Sequence, residues 1–341
     1  MASLRVFVIA RILMTIPTIF ILITLVFLIM RVMPGDPVVA IVGLKAPPER
    51  IIELKKELGL LDANGNPIPL PIQYFNYLWG IIRGDFGRSL IWGKRPVLVE
   101  IMEHLPATVE LALAGFLVSI ILGVLLGMLG AYKGGKVDPA VRLYGAITYA
   151  LFIPWLGMML QMLFSVHLKL LPVAGRIGTE LEPQHITGLY VLDSILTGNL
   201  ESLTSSLLHL LLPSITLGVV LSGVFTRVSR SSVMEVLRQD FVTAARARGL
   251  PESKVLFHVM KNAFIPILTM MGLQLALLMT GAILTETTFS WPGMGTFLME
   301  RIEYRDYTTV QGTVIFFAII VSLISLVVDI LYAYIDPRIR Y

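Results

Sequence analysis

The residues whose types and spacing could do chemistry fall into three groups. The first is Gly130-Ala-Tyr-Lys-Gly-Gly135-Lys136, which has the glycine and lysine spacing of a phosphate-cradling loop. Val137 stands where the magnesium-binding Ser or Thr belongs, and the segment follows a long apolar run instead of a buried strand. A tight turn is the better account. The second group is the histidines, His104, His167, His185, His209 and His258, which are scattered without His-Glu-x-x-His or any other metal-ligand spacing. Cysteine is absent, which excludes intrinsic disulfides, thiolate chemistry and cysteine-bound zinc or iron–sulfur clusters. No local motif supports a Ser/His/Asp hydrolase. The third group is polar residues set inside apolar runs: Glu110, Gln161, Gln274, Glu286 and Asp329. Polar groups in a bilayer are costly, so these are candidates to line a route for a polar or zwitterionic solute, with helix-to-helix hydrogen bonding as the competing account. Glu286 and Gln274 are the stronger candidates, and Glu286 is a candidate outer gate because it adjoins a helix-breaking segment.

The elements that must position these groups are membrane spans. Only 15% of the residues are charged, against about 25% in soluble domains. Ile12 to Met30 is an uncharged run of 19 residues between Arg11 and Arg31, close to the roughly 20 needed to cross a bilayer, and it reads as an uncleaved first span. Further runs at about Leu105–Tyr132, Leu143–Leu168, Leu207–Arg227, Phe264–Glu286 and Val310–Ile335 bring the expected number to six. Six spans put both termini on one side. With that side inside, the inner segments carry 14 basic and 6 acidic residues and the remainder 13 basic and 17 acidic, which is the positive-inside pattern.

Between the first two spans, about Val32 to His104 is too polar to cross. Ala46 to Leu58 reads as an amphipathic helix with Ile51, Ile52, Leu54 and Leu58 clustered, and Asn64-Gly65-Asn66-Pro67 with Pro69 and Pro71 marks turns. An aromatic cluster, Gln73 to Trp79, and Gly84-Asp-Phe-Gly-Arg-Ser89 come next. The second outer connection, Pro172 to Ser206, is expected to hold a half-buried helix over Leu189–Leu203. In the third, Glu286 to Gly295, Trp291 is expected at the membrane interface, while Pro292, Gly293 and Gly295 let the chain fold back. The methionines suit flexible packing, and Gly115, Gly123, Gly127, Gly218, Gly223 and Gly281 suit close helix crossings.

The most distinctive stretch is Glu235 to Pro266, polar, basic and helix-prone between two apolar spans. Gly249 sits where a left-handed C-terminal cap is needed and Pro251 suits the first turn of a following helix, so two short helices are expected. Phe241, Ala244, Ala245 and Arg248 fall three or four residues apart and so share a face.

Thr243-Ala-Ala-Arg-Ala-Arg-Gly249, with His258, Asn262-Ala263 and Pro266 after it, resembles the coupling motif of the membrane subunits of ABC importers, and most of all their dipeptide and oligopeptide branch. Thr243 stands where the general motif has glutamate, and the interval from Gly249 to Pro266 exceeds that of sugar-importer relatives; both departures are usual in the peptide branch. The 32–104 region and the segment Glu286–Gly295 with Arg305-Asp306-Tyr307 extend the resemblance over nearly the whole chain.

The resemblance implies an all-α integral membrane protein of the type I ABC importer fold, with six transmembrane helices and an outer subdomain between helices 1 and 2. Its parts would be a cytoplasmic N-terminus and first span (1–31), an extracytoplasmic subdomain (32–104) and a five-helix permease core (105–341) containing the cytoplasmic coupling loop (228–263). Phe241, Ala244, Ala245, Arg246, Arg248, Gly249 and Leu250 would dock a cytosolic ATPase. The implied partners are a homologous second permease subunit, two cytosolic ATPases that bind ATP and magnesium, an extracytoplasmic solute-binding protein and a peptide substrate. This subunit would hold no cofactor, metal or catalytic site and bind no nucleic acid, and would lie in the cell membrane with both termini cytoplasmic. Relatives also carry nickel, glutathione or oligosaccharides. An ion-coupled secondary carrier would place ionisable residues at mid-membrane, and these spans are nearly free of charge.

Overall fold

Prolines and run lengths decide where the apolar segments become helices in the computed structural model, which describes residues 4–32, 38, 47–91 and 93–335. Within those ranges the side chains at 4–5, 7, 32, 276–277, 279–281 and 331–335 are not described. Met279 and Gly281, like Asp336, Arg338 and Arg340, therefore lie outside the described residues. The described residues are helical, apart from connections and two isolated bridges, Leu61 with Pro67 and Arg88 with Pro96. In order they form α1 (Leu4–Val32), α2 (Pro48–Glu57), α3 (Leu70–Ile82), α4 (Val97–Lys133), α5 (Val137–Ala150) and α6 (Ile153–Leu160), which runs on as a π-helical stretch, Gln161–His167. Next come α7 (Tyr190–Thr197), α8 (Leu200–Leu237), α9 (Asp240–Ala247), α10 (Glu252–Thr288), α11 (Met294–Glu303) and α12 (Tyr307–Ile335).

Five helices, α1, α4, α8, α10 and α12, are long and apolar enough to cross a membrane. The expected third span is instead α5 followed by α6 and its π stretch, bent by 103°. Leu151 and Phe152 are extended (ψ 131° and 119°), and Pro154 sits in the first turn of α6, where its missing N–H costs nothing. Among the described residues there are therefore five helices fit to span, or six if the bent pair counts as one. The expected helix over Leu189–Leu203 is also divided: Gly198, at φ +68°, ends α7, and the Asn199 side chain accepts from the Ser202 N–H to start α8.

The chain divides into two compact units. The first comprises residues 1–10, 106–293 and 324–341. Within it α8 packs on α4, α5 and α10, and small residues set the spacing. A methyl group on Gly123 would overlap Phe225 Cβ, one on Gly127 would stand 2.7 Å from Ser229 Cβ, and one on Gly223 would overlap Thr148 Oγ1. Such close crossings replace the hydrophobic driving force that helices lack in lipid. Around them lie a core of Ala107, Leu111, Leu210, Leu217, Leu278 and Trp291, and a second core of Val233, Val236, Val242, Val255, Val259 and Ala263.

The second unit comprises 11–105 and 294–323. Val97, Ile101, Met294, Phe297 and Phe316 form one core, and Ile23, Ile81 and Ile315 another. In α2 only Leu54 is buried, while Ile52 is exposed, so the expected apolar cluster on that helix is narrower than its pattern suggests. The aromatic segment becomes α3, whose Tyr74 and Tyr77 stack on Phe27 of α1. Ser89 donates to Asp306 Oδ2 at 2.5 Å, and Asp306 also accepts from the Thr309 hydroxyl at 2.8 Å.

Candidate functional site

The polar stretch between the spans folds as one short helix, α9, held between the ends of two long ones. The second short helix expected there is the first turns of α10, which continues unbroken for 37 residues. After α9 the chain makes a left-handed cap: Gly249 has φ +73°, its N–H donates to Arg246 O at 2.9 Å, and the Leu250 N–H donates to Ala245 O at 3.3 Å. Pro251, with φ −62° and ψ 143°, then stands as the N-cap of α10.

One side of α9 faces the protein. Val242 is fully buried in the core of Val233, Val255 and Val259, with Ala245 and Leu250 against it. The other side is open: Phe241, Ala244, Arg246 and Arg248 are exposed. The four-residue face read from spacing thus loses Ala245, which turns inward with Val242 because positions three apart stack on a helix. Arg246 reaches across the turn to Glu252, with Nη2 to Oε1 at 2.6 Å and Nε to Oε2 at 3.3 Å. Spacing missed both Val242 and this brace. The signal for the first was present, since Val242, Ala245 and Gly249 repeat at helical intervals; the second needed the cap geometry that brings residue 252 back to residue 246.

The polar residues of the spans are held in a different setting. Glu110 is 8% exposed, and its Oε2 accepts from Arg176 Nε at 2.9 Å and Nη2 at 2.7 Å. Its Oε1 accepts from the Val191 N–H at 2.7 Å. Arg176 also donates to Gly188 O and lies 3.8 Å from the Tyr190 ring centroid. A buried carboxylate and guanidinium so paired are mutually neutralised and pin the 172–206 connection onto α4.

Glu286 is fully buried near the end of α10. Thr108 donates to its Oε1 at 2.6 Å, and a methyl group on Gly293 would overlap its carboxyl group, which would then have to shift. Trp291, expected at the interface, is instead 1% exposed, with its indole N–H donating to Ala107 O at 2.9 Å. That bond is what allows an indole to be buried. Gln161 donates to Val173 O and Thr288 O at 2.8 and 3.1 Å. Glu110, Gln161 and Glu286 therefore gather about the Trp291 turn, whereas Gln274, also buried, lies twelve residues and about 18 Å back along α10.

Asp193 on α7 is a participant the spacing did not single out. Burial pushes its pKa up, but the Thr187 hydroxyl and the N–H groups of Thr187, Ile186 and Gly188 all donate to it and hold it below the usual carboxylate value.

A family model described as the inner membrane component of binding-protein-dependent transport systems matches residues 119–341, and the model of its N-terminal region matches residues 4–112. The dipeptide transport system permease protein of Alkalihalophilus pseudofirmus is 39% identical over 333 residues, covering 97% of this chain and 98% of that protein. That of Escherichia coli strain K12 is 38% identical over 341 residues, 98% of each. A glutathione transport system permease protein of Salmonella choleraesuis is 36% identical over 337 residues, 98% of this chain and 99% of that one. With both models matched and relatives aligned along almost its full length, the chain belongs to the family of inner membrane components of binding-protein-dependent transport systems, as a multi-pass permease subunit of the ABC importer class.

Proposed function

We propose that this subunit passes dipeptides and short oligopeptides across the membrane by alternating access, paired with a homologous second permease subunit. Two cytosolic ATPases bind ATP and magnesium and supply the work, and an extracytoplasmic binding protein delivers the cargo. The Lys/Arg bias favours both termini and α9 on the cytoplasmic side. The observation that carries this reading is α9, a small helix with an inner face of Val242 and Ala245 and an open face of Phe241, Ala244 and Arg248. A protein left alone would have no use for that open face. The helices either side of it, α8 and α10, run 38 and 37 residues as continuous helix with Pro213 and Pro266 inside them, so α9 is joined directly to two spans and a displacement of it acts on both. The dipeptide permeases among the relatives support the cargo class, and glutathione, itself a short peptide, falls within it.

Ala244→Glu puts a charge on the open face without touching the core, whereas a bulky group at Ala245 would also disturb the packing under α9. In proteoliposomes holding the whole transporter, Ala244→Glu is expected to leave insertion and assembly of the permease pair intact while uptake of a labelled dipeptide falls at least tenfold relative to ATP hydrolysed. Uptake at the parent rate would remove the coupling role from α9. Loss of insertion would make that face a folding element instead.

A further inference from the structure

Near the α9 end of the helices, α5 and α8 leave between them an open groove of about 280 Å³. Its floor is apolar or small, formed by Val141, Gly145 and Ala146 with Thr226 opposite. Three arginines rim it: Arg142, Arg227 and Arg230. One carboxylate, Asp138, serves two of them. Arg230 takes Asp138 in a two-pronged pair, with Nη2 to Oδ2 at 2.9 Å, and is only one-fifth exposed. Arg142 reaches the same carboxylate through a single contact at 3.4 Å and is 59% exposed. Arg227 is exposed, lies 5.2 Å from the centroid of the Tyr149 ring, and has no carboxylate within salt-bridge distance among the described residues. The mouth of the groove therefore carries an excess of two positive charges. The adjoining surface of α5 is greasy, with Leu143, Ile147 and Tyr149 all at least half exposed.

The occupant these features call for is negative at one end and apolar along its length. We propose that the groove binds one anionic glycerophospholipid, with its phosphate between Arg142 and Arg227 and an acyl chain laid over Val141, Gly145 and Ala146. A free phosphate would leave the apolar floor uncovered and gain only two exposed side chains. A neutral lipid would leave the charge unanswered, and an uncharged helix of a second protein would bury two arginines without partners, which is costly. Basic pockets between helices at a membrane surface hold lipid headgroups by this same addition of charge and apolar contact. The proposal rests on the membrane assignment and not on the cargo or the coupling role of α9, so either can fail without the other.

The test takes the full-length chain, purified in detergent, into native mass spectrometry with phosphatidylglycerol or phosphatidylcholine added. Phosphatidylglycerol is expected to be retained in preference, with one copy more tightly held than the rest. Arg142→Gln with Arg227→Gln should weaken that copy on the order of tenfold or more, at about 1 kcal/mol per basic residue. Arg142→Lys with Arg227→Lys should keep most of it. Should the glutamine pair not fold, a photoreactive phosphatidylglycerol on the parent chain decides: label within 137–150 and 226–237 is expected. Equal retention of the two lipids, label confined to other segments, undiminished retention in a folded glutamine pair, or displacement of the lipid by glycerol phosphate alone would each overturn the proposal.

Discussion

The α9 knob and the Trp291 turn use charge in opposite ways. At the knob the ion pair is Arg246 with Glu252, with side chains 47% and 40% exposed, and water shares most of its field. Such an exposed pair contributes little to stability. At the turn the pair is Arg176 with Glu110, 6% and 7% exposed, with every strong partner supplied by protein. The knob is held by its backbone cap and by one buried valine, so its polar side chains remain available to something else. The turn uses its polar groups to tie together residues separated by up to 184 positions, and they are not available. The difference separates a surface whose side chains stay exposed from a buried turn whose charges are answered within the protein.

Breaking the turn at its ion pair should have the largest effect. Arg176→Met strands Glu110 in a buried site and is expected to cost about 3–5 kcal/mol, read as a fall in the thermal unfolding midpoint. Glu110→Gln with Arg176→Met should recover much of that loss, because the stranded charge is gone; no recovery would mean that the pair acts through packing. A smaller change sharpens the same contrast. Gly293→Ala drives a methyl group into the Glu286 carboxyl and is expected to cost about 1–3 kcal/mol, with Gly293→Ala in a Glu286→Ala background largely relieved.

Asp193 extends the comparison to pH. Its native pKa is depressed, so it stabilises the 172–206 connection at pH values above the ordinary aspartate range and loses that contribution as pH falls through the lowered native value. The hydrogen-exchange protection of residues 186–198, corrected for the intrinsic rate at each pH, should fall on acidification in the parent, and in Asp193→Asn should be lower at neutral pH and flatter with pH. The smallest effect is expected at the knob. Gly249→Ala must adopt φ +73° with a side chain and should cost about 1 kcal/mol, seen as faster exchange at Gly249 and Leu250 with the global midpoint nearly unchanged.

Locality separates the features that were legible in the chain from those that were not. The cap at Gly249 and Pro251 could be read because left-handed φ and a missing N–H are properties of single residues. The spans at 12–30 and 310–335 could be read because apolar length is additive along the chain. The bend in the third span could not be read because its hydropathy is continuous through Ala150–Pro154, and the local mark of it is one proline at position 154. Trp291 misled in the other direction. An aromatic beside Pro-Gly is an interface residue unless its N–H finds a partner, and that partner is Ala107 O on another helix.

The sequence by itself determined that the chain is a helical, multi-pass membrane protein, that its basic loop ends one short helix at Gly249, and which polar residues stand in apolar runs. These are consequences of composition, period and single-residue backbone preference. Tertiary structure alone decided that Ala245 turns inward while Ala244 stays open, that Glu110 is answered by Arg176, and that the Glu286 carboxyl lies hard against Gly293. Each of those depends on which helix lies opposite, and the pairing of Glu110 with Arg176, 66 residues apart, is set by packing that no local pattern encodes.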